Sequence, residues 1–184
     1  QLTSKGQLSN QQNIMTAKGS SNIKNFTITS PNNVTASHPS GTIDYNFAVN
    51  SDTNTVTIDS LIANITDLGN LTVQKATVPL DKKTPLNLDP KTQLQLNNLK
   101  PYLVMLDALP QDTQLKGLAD STLNLKSQNT TYTVSTENTK ITDLYLKAPE
   151  KQPFAQQNVD LKFLAHINPE EKSVNVESLQ LISP

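Results

Sequence analysis

Apolar and polar side chains alternate every second residue through most of this chain. That period leaves an antiparallel β-sheet with one apolar face as the architecture to expect. Ile43, Tyr45, Phe47 and Val49 share one side of a strand, with Asp44, Asn46 and Ala48 on the other. The cluster Asn50-Ser51-Asp52-Thr53-Asn54 then forms a turn. Val56 and Ile58 restart the alternation, and Leu61, Ala63 and Ile65 continue it in the opposite phase. A slip of that kind inside a strand predicts a β-bulge near Ser60. The same pattern predicts strands over 71–73, 76–80, 86–88, 94–96, 115–125, 132–134, 144–146, 159–165 and 174–181.

One stretch has a different period. Leu99, Tyr102, Leu103 and Leu106 are spaced three and four apart, which predicts a short helix over 98–109. Asn97 or Asn98 would cap it, Pro101 would sit in its first turn, and Pro110 would end it. A lone helix among strands is expected to cover an open face or the end of the sheet. With only 5 Gly in the chain, most turns are expected to be longer than the tight glycine-rich kind and based on type I geometry.

The chain also repeats itself. Ile23-Lys24-Asn25-Phe26-Thr27-Ile28-Thr29-Ser30-Pro31 matches Ile141-Thr142-Asp143-Leu144-Tyr145-Leu146-Lys147-Ala148-Pro149, 118 residues on. Ile43-Asp44-Tyr45-Asn46-Phe47 matches Val159-Asp160-Leu161-Lys162-Phe163 at an offset of 116, which implies a connecting loop two residues shorter. Val56 to Leu61 matches Val174 to Leu179, back at 118, and the phase slip recurs because Leu179 and Leu181 are out of step with Val174 and Val176. The repeat units are expected at about 14–65 and 116–184, joined by strands and the helix over about 66–115. The whole is expected to be a window on a longer array of repeating strands. A pseudo-symmetric β-sandwich is the other form such a repeat could take.

Composition excludes several function classes. All 15 basic residues are Lys, and the net charge is −1. A nucleic-acid reader without an Arg to clamp phosphate or read guanine is not expected. The absence of Cys removes disulfides, thiolate nucleophiles and cysteine metal sites. No stretch is apolar for long enough to span a bilayer as a helix, and the start at Gln1 carries no signal-like segment. An excised piece or a processed chain is therefore expected.

Catalytic groups are scarce. His38 in Ser37-His38-Pro39-Ser40 is expected in a surface loop, and His166 at the surface near a strand end. They occupy non-equivalent positions in the repeat. Asn50, Asp52 and Asn54 have the opening spacing of a calcium loop, but Thr55 and Leu61 stand where Gly and Glu are needed. The matching segment is Asn168-Pro169-Glu170-Glu171-Lys172, so a hairpin turn is expected in both places. No glycine-rich phosphate loop or nucleophile elbow occurs. The expectation is a non-enzymatic protein with no cofactor and no metal.

The order of these segments resembles the AsmA-like proteins and the related TamB group. The resemblance rests on a strand of the form Ile-x-x-Leu-x-Leu-x-x-Pro, an alternating strand, an Asp/Asn-rich turn and a further strand. It also rests on Leu-Lys-Pro-Tyr-Leu at 99–103 and Leu-Lys-Gly-Leu-Ala-Asp-Ser-Thr-Leu-Asn-Leu at 115–125, and it covers about 14–184. It implies a periplasmic segment of a bacterial envelope protein whose parent is anchored in the inner membrane. The implied function is phospholipid transport and outer-membrane maintenance. The implied partners are phospholipid or another acyl-chain ligand, neighbouring repeats and other envelope proteins.

The fold expected is all-β: an antiparallel, strongly twisted and curved sheet, either an open groove or a half-open sandwich. The residues expected to face lipid are Ile43, Tyr45, Phe47, Val49, Val56, Ile58, Val159, Leu161, Phe163, Val174 and Val176. The alternative function is a structural or adhesive β-rich surface module that binds a protein partner.

Overall fold

Alternation at this density produces one sheet. The computed structural model describes residues 1–31, 33–81, 84–128, 131–168, 170–171 and 173–183. Its strands are β1 (Leu2–Gln11), β2 (Ile14–Thr29), β3 (Thr35–Asn50), β4 (Thr55–Ile65), β5 (Gly69–Pro79), β6 (Leu86–Leu88) and β7 (Lys91–Gln95). Helix α1 (Leu96–Met105) follows. The chain continues with β8 (Gln114–Thr122), β9 (Asn124–Gln128), β10 (Thr131–Lys147), β11 (Phe154–Asn168) and β12 (Ser173–Ile182). The order across the sheet is β1-β2-β3-β4-β5-β7-β8-β10-β11-β12, with β9 on the far part of β10 and β6 on β9. All pairings are antiparallel, and the sheet does not close on itself.

The phase slips in the sequence are real irregularities of the ladder. Asn46 pairs Ser60 and Phe47 pairs Ile58, so Asp59 is the extra residue of a bulge. Leu164 pairs Ser178 and Ala165 pairs Val176, so Glu177 is extra in the same way. Each bulge acid is held by a side chain from the facing strand: Asn46 Nδ2 donates to Asp59 Oδ2 at 3.2 Å, and His166 Nε2 lies 2.8 Å from Glu177 Oε2. The bulge thus keeps Ile58 and Leu61, or Val176 and Leu179, on one face.

A second device does the same on other strands. Asn25 (φ 50°), Lys75 (φ 51°) and Asp143 (φ 52°) adopt left-handed backbone. Each lies between two apolar residues three apart: Ile23 and Phe26, Val73 and Ala76, Ile141 and Leu144. Left-handed backbone is expensive for most residues and cheapest for Gly, Asn and Asp. Turns use the same residues, with Asn54 (φ 52°) and Asp67 (φ 68°) among them. The first connection departs from the expected longer turns. Only Gln12 and Asn13 join β1 to β2, with Gln12 at φ 53°.

The repeat holds at a constant offset of 118. Ile23 pairs Gly41 and Ile141 pairs Val159; β3 and β11 both end at an Asn, Asn50 and Asn168. Asn50 Oδ1 accepts from the N–H groups of Asp52 (2.9 Å) and Thr53 (3.2 Å), and Asn168 Oδ1 from those of Glu170 (3.1 Å) and Glu171 (3.3 Å). Both segments are hairpin turns, although Pro169 and Lys172 lie outside the described residues. The offset of 116 expected for β3 against β11 is corrected. Ile43 corresponds to Leu161 and Tyr45 to Phe163, and the connection 148–153 is longer than 30–34. Residue likeness between Tyr-Asn-Phe and Leu-Lys-Phe had favoured a slip of two. Two is an even number, so the face is unchanged.

Several element boundaries also differ: the segments expected over 71–73 and 76–80 are one strand, β5, and Leu96, expected to end a strand, opens α1. The strand expected over 115–125 breaks at Leu123, whose N–H bonds Pro90 O at 2.9 Å. The segments 132–134 and 144–146 belong to one strand, β10. Helix α1 begins and ends earlier than expected, with Gln95 in the capping position and Pro101 in the helix interior. Asp107 at φ 55° stops it, its N–H reaching Val104 O at 3.1 Å while that of Ala108 reaches Leu103 O at 2.8 Å. That pair of bonds is a Schellman ending, so the helix is already closed before Pro110.

If the left-handed positions are equivalent, Asn25→Val and Asp143→Val should each cost about 1–2 kcal/mol, while either residue changed to Gly should be close to neutral. Urea denaturation checks this. Both Val variants should lower the midpoint at an unchanged m value.

Candidate functional site

The ladder puts all eleven candidate residues on one face. Paired residues of neighbouring strands lie on the same side. Ile43 leads across the sheet through Ala63, Leu71, Thr92, Ser121 and Thr139 to Leu161 and Leu181. Tyr45 and Phe47 therefore share a face with Leu161 and Phe163. A second row runs Phe47, Ile58, Ala76 on one side and Leu88, Leu125, Val134, Ala165, Val176 on the other.

Helix α1 covers part of this face. Leu96 packs with Ala119, Ile141, Leu144 and Val159, and Leu99, Leu115 and Leu161 border them. Val159 is 2% exposed. It belongs to the core beneath the helix, with the candidate Leu161 packed against that core, because it pairs Ile141 at the level where α1 crosses.

Away from the helix the face is open. Ile43, Tyr45, Phe47, Val56, Ile58, Ser60 and Leu61 line a trough of about 300 Å³. The Tyr45 and Phe47 rings meet at 5.8 Å between centroids, tilted by 37°. Val49 and Val56 pair at the next level. The Tyr45 hydroxyl reaches over the facing pair Gly6 and Gly19. A Cβ on Gly19 would stand 2.6 Å from that oxygen and 2.5 Å from Lys5 O. The two glycines thus make the channel in which Tyr45 lies. In the second copy Leu161 and Phe163 are half-buried, and Val174 and Val176 are exposed on β12.

Between the helix-covered patch and the open part lies a group of hydroxyls. Thr92, Ser121, Thr136 and Thr139 are all buried. Ser121 Oγ is 2.5 Å from Thr139 Oγ1, Thr139 Oγ1 donates to Thr136 Oγ1 at 3.1 Å, and Thr136 Oγ1 donates to Thr122 O at 3.1 Å. Ser121, Thr136 and Thr139 thus satisfy one another by hydrogen bonding, as buried polar groups must.

His38 is corrected from a surface loop to a buried strand residue, 5% exposed. Its Nδ1 lies 3.3 Å from Thr66 O, a carbonyl that can only accept, so Nδ1 carries the hydrogen. Nε2 then accepts from the Tyr102 hydroxyl at 2.7 Å. Phe26 flanks the imidazole at 5.3 Å. The sequence hid this because Pro39 and Ser40 look like loop residues, whereas here they span a kink of β3 that keeps His38 and Gly41 buried on one face. His38 serves as the anchor of α1 on β3. His166 is half-exposed, with Thr133 and Glu177 as its partners.

Among the described residues no group of three or more His, Asp or Glu side chains is placed to hold a metal ion, and no helix is long and apolar enough to cross a membrane. No protein-family model, curated protein or solved structure matches the chain.

Burial holds the Tyr102 hydroxyl above its ordinary pKa of 10.0. A raised value means that its contribution to stability is complete below the unfolded pKa and is lost as pH climbs through the folded one. Tyr102→Phe should cost about 1–3 kcal/mol at neutral pH, since it leaves His38 Nε2 buried without a partner. Melting curves from about pH 9 to 11 should fall more steeply for the parent protein than for Tyr102→Phe.

Proposed function

We propose that this chain is a non-enzymatic, AsmA-like segment of a bacterial envelope protein that holds phospholipid acyl chains on its open apolar face. The parent protein would be anchored in the inner membrane, with this segment in the periplasm and phospholipid moving towards the outer membrane. The observation that supports this reading is the aliphatic and aromatic trough from Ile43 to Leu61; a separate apolar patch on β11 and β12 lies on the same face, beyond the buried hydroxyls. Removing apolar surface from water is worth about 25 cal/mol per Å², or about 0.8 kcal/mol for each methylene. A row of half-exposed aliphatic groups therefore attracts a hydrocarbon chain along its length. No candidate position on the face carries a charge, so no single contact would fix a ligand in one place. The order of repeat segments adds the family resemblance.

The test compares substitutions at two depths of the same face. The protein is incubated with vesicles of phosphatidylethanolamine and phosphatidylglycerol that carry a trace of fluorescent phospholipid, then re-isolated. Parent protein should retain lipid. Phe47→Asp and Phe163→Asp should lose most of it with a modest fall in melting temperature, because both side chains border solvent. Val159→Asp should fail to fold, since an unpaired buried charge costs about 3–5 kcal/mol. Parent protein that emerges free of lipid, or Phe47→Asp that retains it fully, overturns the reading. Capture of a protein partner by lipid-free protein would support the adhesive module instead.

A further inference from the structure

We infer that the trough on β3 and β4 is a blind slot for a single acyl chain, entered methyl end first and stopped at α1, so that the site measures chain length. This rests on the lipid-holding role proposed above, and adds to it the number, direction and length of the chains held.

The stop is built at one level of the ladder. Gly41 is buried, and it lies in the same row of paired residues as Ile65, Ala119, Ile141 and Val159. α1 crosses the face at this level. Near its start Leu96 packs on Ala119, Ile141 and Val159. Further along, the Tyr102 ring stacks on His38, with centroids 5.9 Å apart and planes 10° apart. Phe26 closes the corner between them. It flanks His38, and its ring stands 3.4 Å from the place a Cβ on Gly41 would take. Ile43, the next residue outward on this face, is 38% exposed. The trough therefore begins at Ile43 with a wall behind it. At the other end the pair Val49 and Val56 is followed by the exposed turn residues 51–54, and the mouth is there.

The dimensions select the occupant. Ile43 to Val49 is about 20 Å, at about 3.3 Å per residue. A volume of about 300 Å³ over that length leaves a section of about 15 Å². A hydrocarbon chain that keeps its neighbours at about 4 Å has a section of about 16 Å², so one chain fits and two abreast do not. A helix is about 10 Å wide, and a strand stacked on a sheet stands about 10 Å off it, so neither enters the slot. No lining side chain is charged. Ser60 and Tyr45 carry hydroxyls, and that of Tyr45 is turned aside over Gly6 and Gly19. A polar head therefore stays at the mouth while the methyl end meets the wall. With C–C bonds of about 1.5 Å an extended chain advances about 1.25 Å per carbon, so the slot takes about 16 carbons.

The probes are lysophosphatidylcholines, each with one acyl chain, titrated into the full protein below their micelle concentrations. Over chains of about 8 to 20 carbons, affinity should rise about two- to fourfold per methylene and level off near about 16. Ile43→Trp should fill the level next to the wall and move that break about five carbons shorter. Its site borders solvent, so this variant should melt near the parent. A fatty acid with a photoreactive diazirine at its methyl end should label residues 41–45, and one with the diazirine beside the carboxylate should label 49–56. Absence of binding at every chain length overturns the lipid reading and the slot together. Binding that strengthens up to the longest chain, a break that Ile43→Trp leaves in place, or labelling in the reverse order overturns the slot alone.

Discussion

A single sheet has two faces, and this chain can cover only part of one, with one short helix. Everything else depends on keeping the apolar side chains on that face along strands of up to 17 residues. A strict two-residue period would do so only if the strands were regular. The chain instead inserts an extra residue at Asp59 and Glu177 and a left-handed one at Asn25, Lys75 and Asp143. Each irregularity lets apolar residues three apart share a side. The polar residue at the irregularity goes to the other face, where Asn46 and His166 hold the two acids.

The packed core is accordingly small and lies where α1 meets β8, β10 and β11. Helix and sheet are joined by more than apolar contact. The His38–Tyr102 bond fixes α1 to β3, and the Asn98 side chain fixes it to the carbonyl of Asp67. Beyond the helix the apolar face continues without cover. The trough at Tyr45 and Phe47 and the exposed row on β12 are two consequences of that shortage, one on the face and one at the edge.

Much of this was legible in the residues. The all-β class, the bulges, the hairpin turns and the shared face of Tyr45 with Phe163 all follow from period and phase. β1 was not foreseen, because an edge strand with ten exposed residues carries almost no alternation; only Leu2 and Leu8 mark it. The offset between β3 and β11 was misjudged because likeness of side chains is a weaker guide than backbone pairing. The end of α1 was set by Asp107, a residue whose left-handed backbone no periodicity reveals. Of the candidate residues, Val159 lies in the core under the helix and Leu161 packs against that core, because whether a face residue is open or covered depends on where the helix lands.

The ring of Tyr45 lying over Gly6 and Gly19 bears on how the sheet assembles. The β1–β2 hairpin has a loop of only two residues, Gln12 and Asn13, so its closure entropy is small. At its middle, however, two glycines face each other and supply no side-chain contact. Its centre gains cover only when β3 delivers the tyrosine from the far side of β2. The cover over the middle of the β1–β2 hairpin is thus a contact the hairpin lacks by itself and has only with β3 in place.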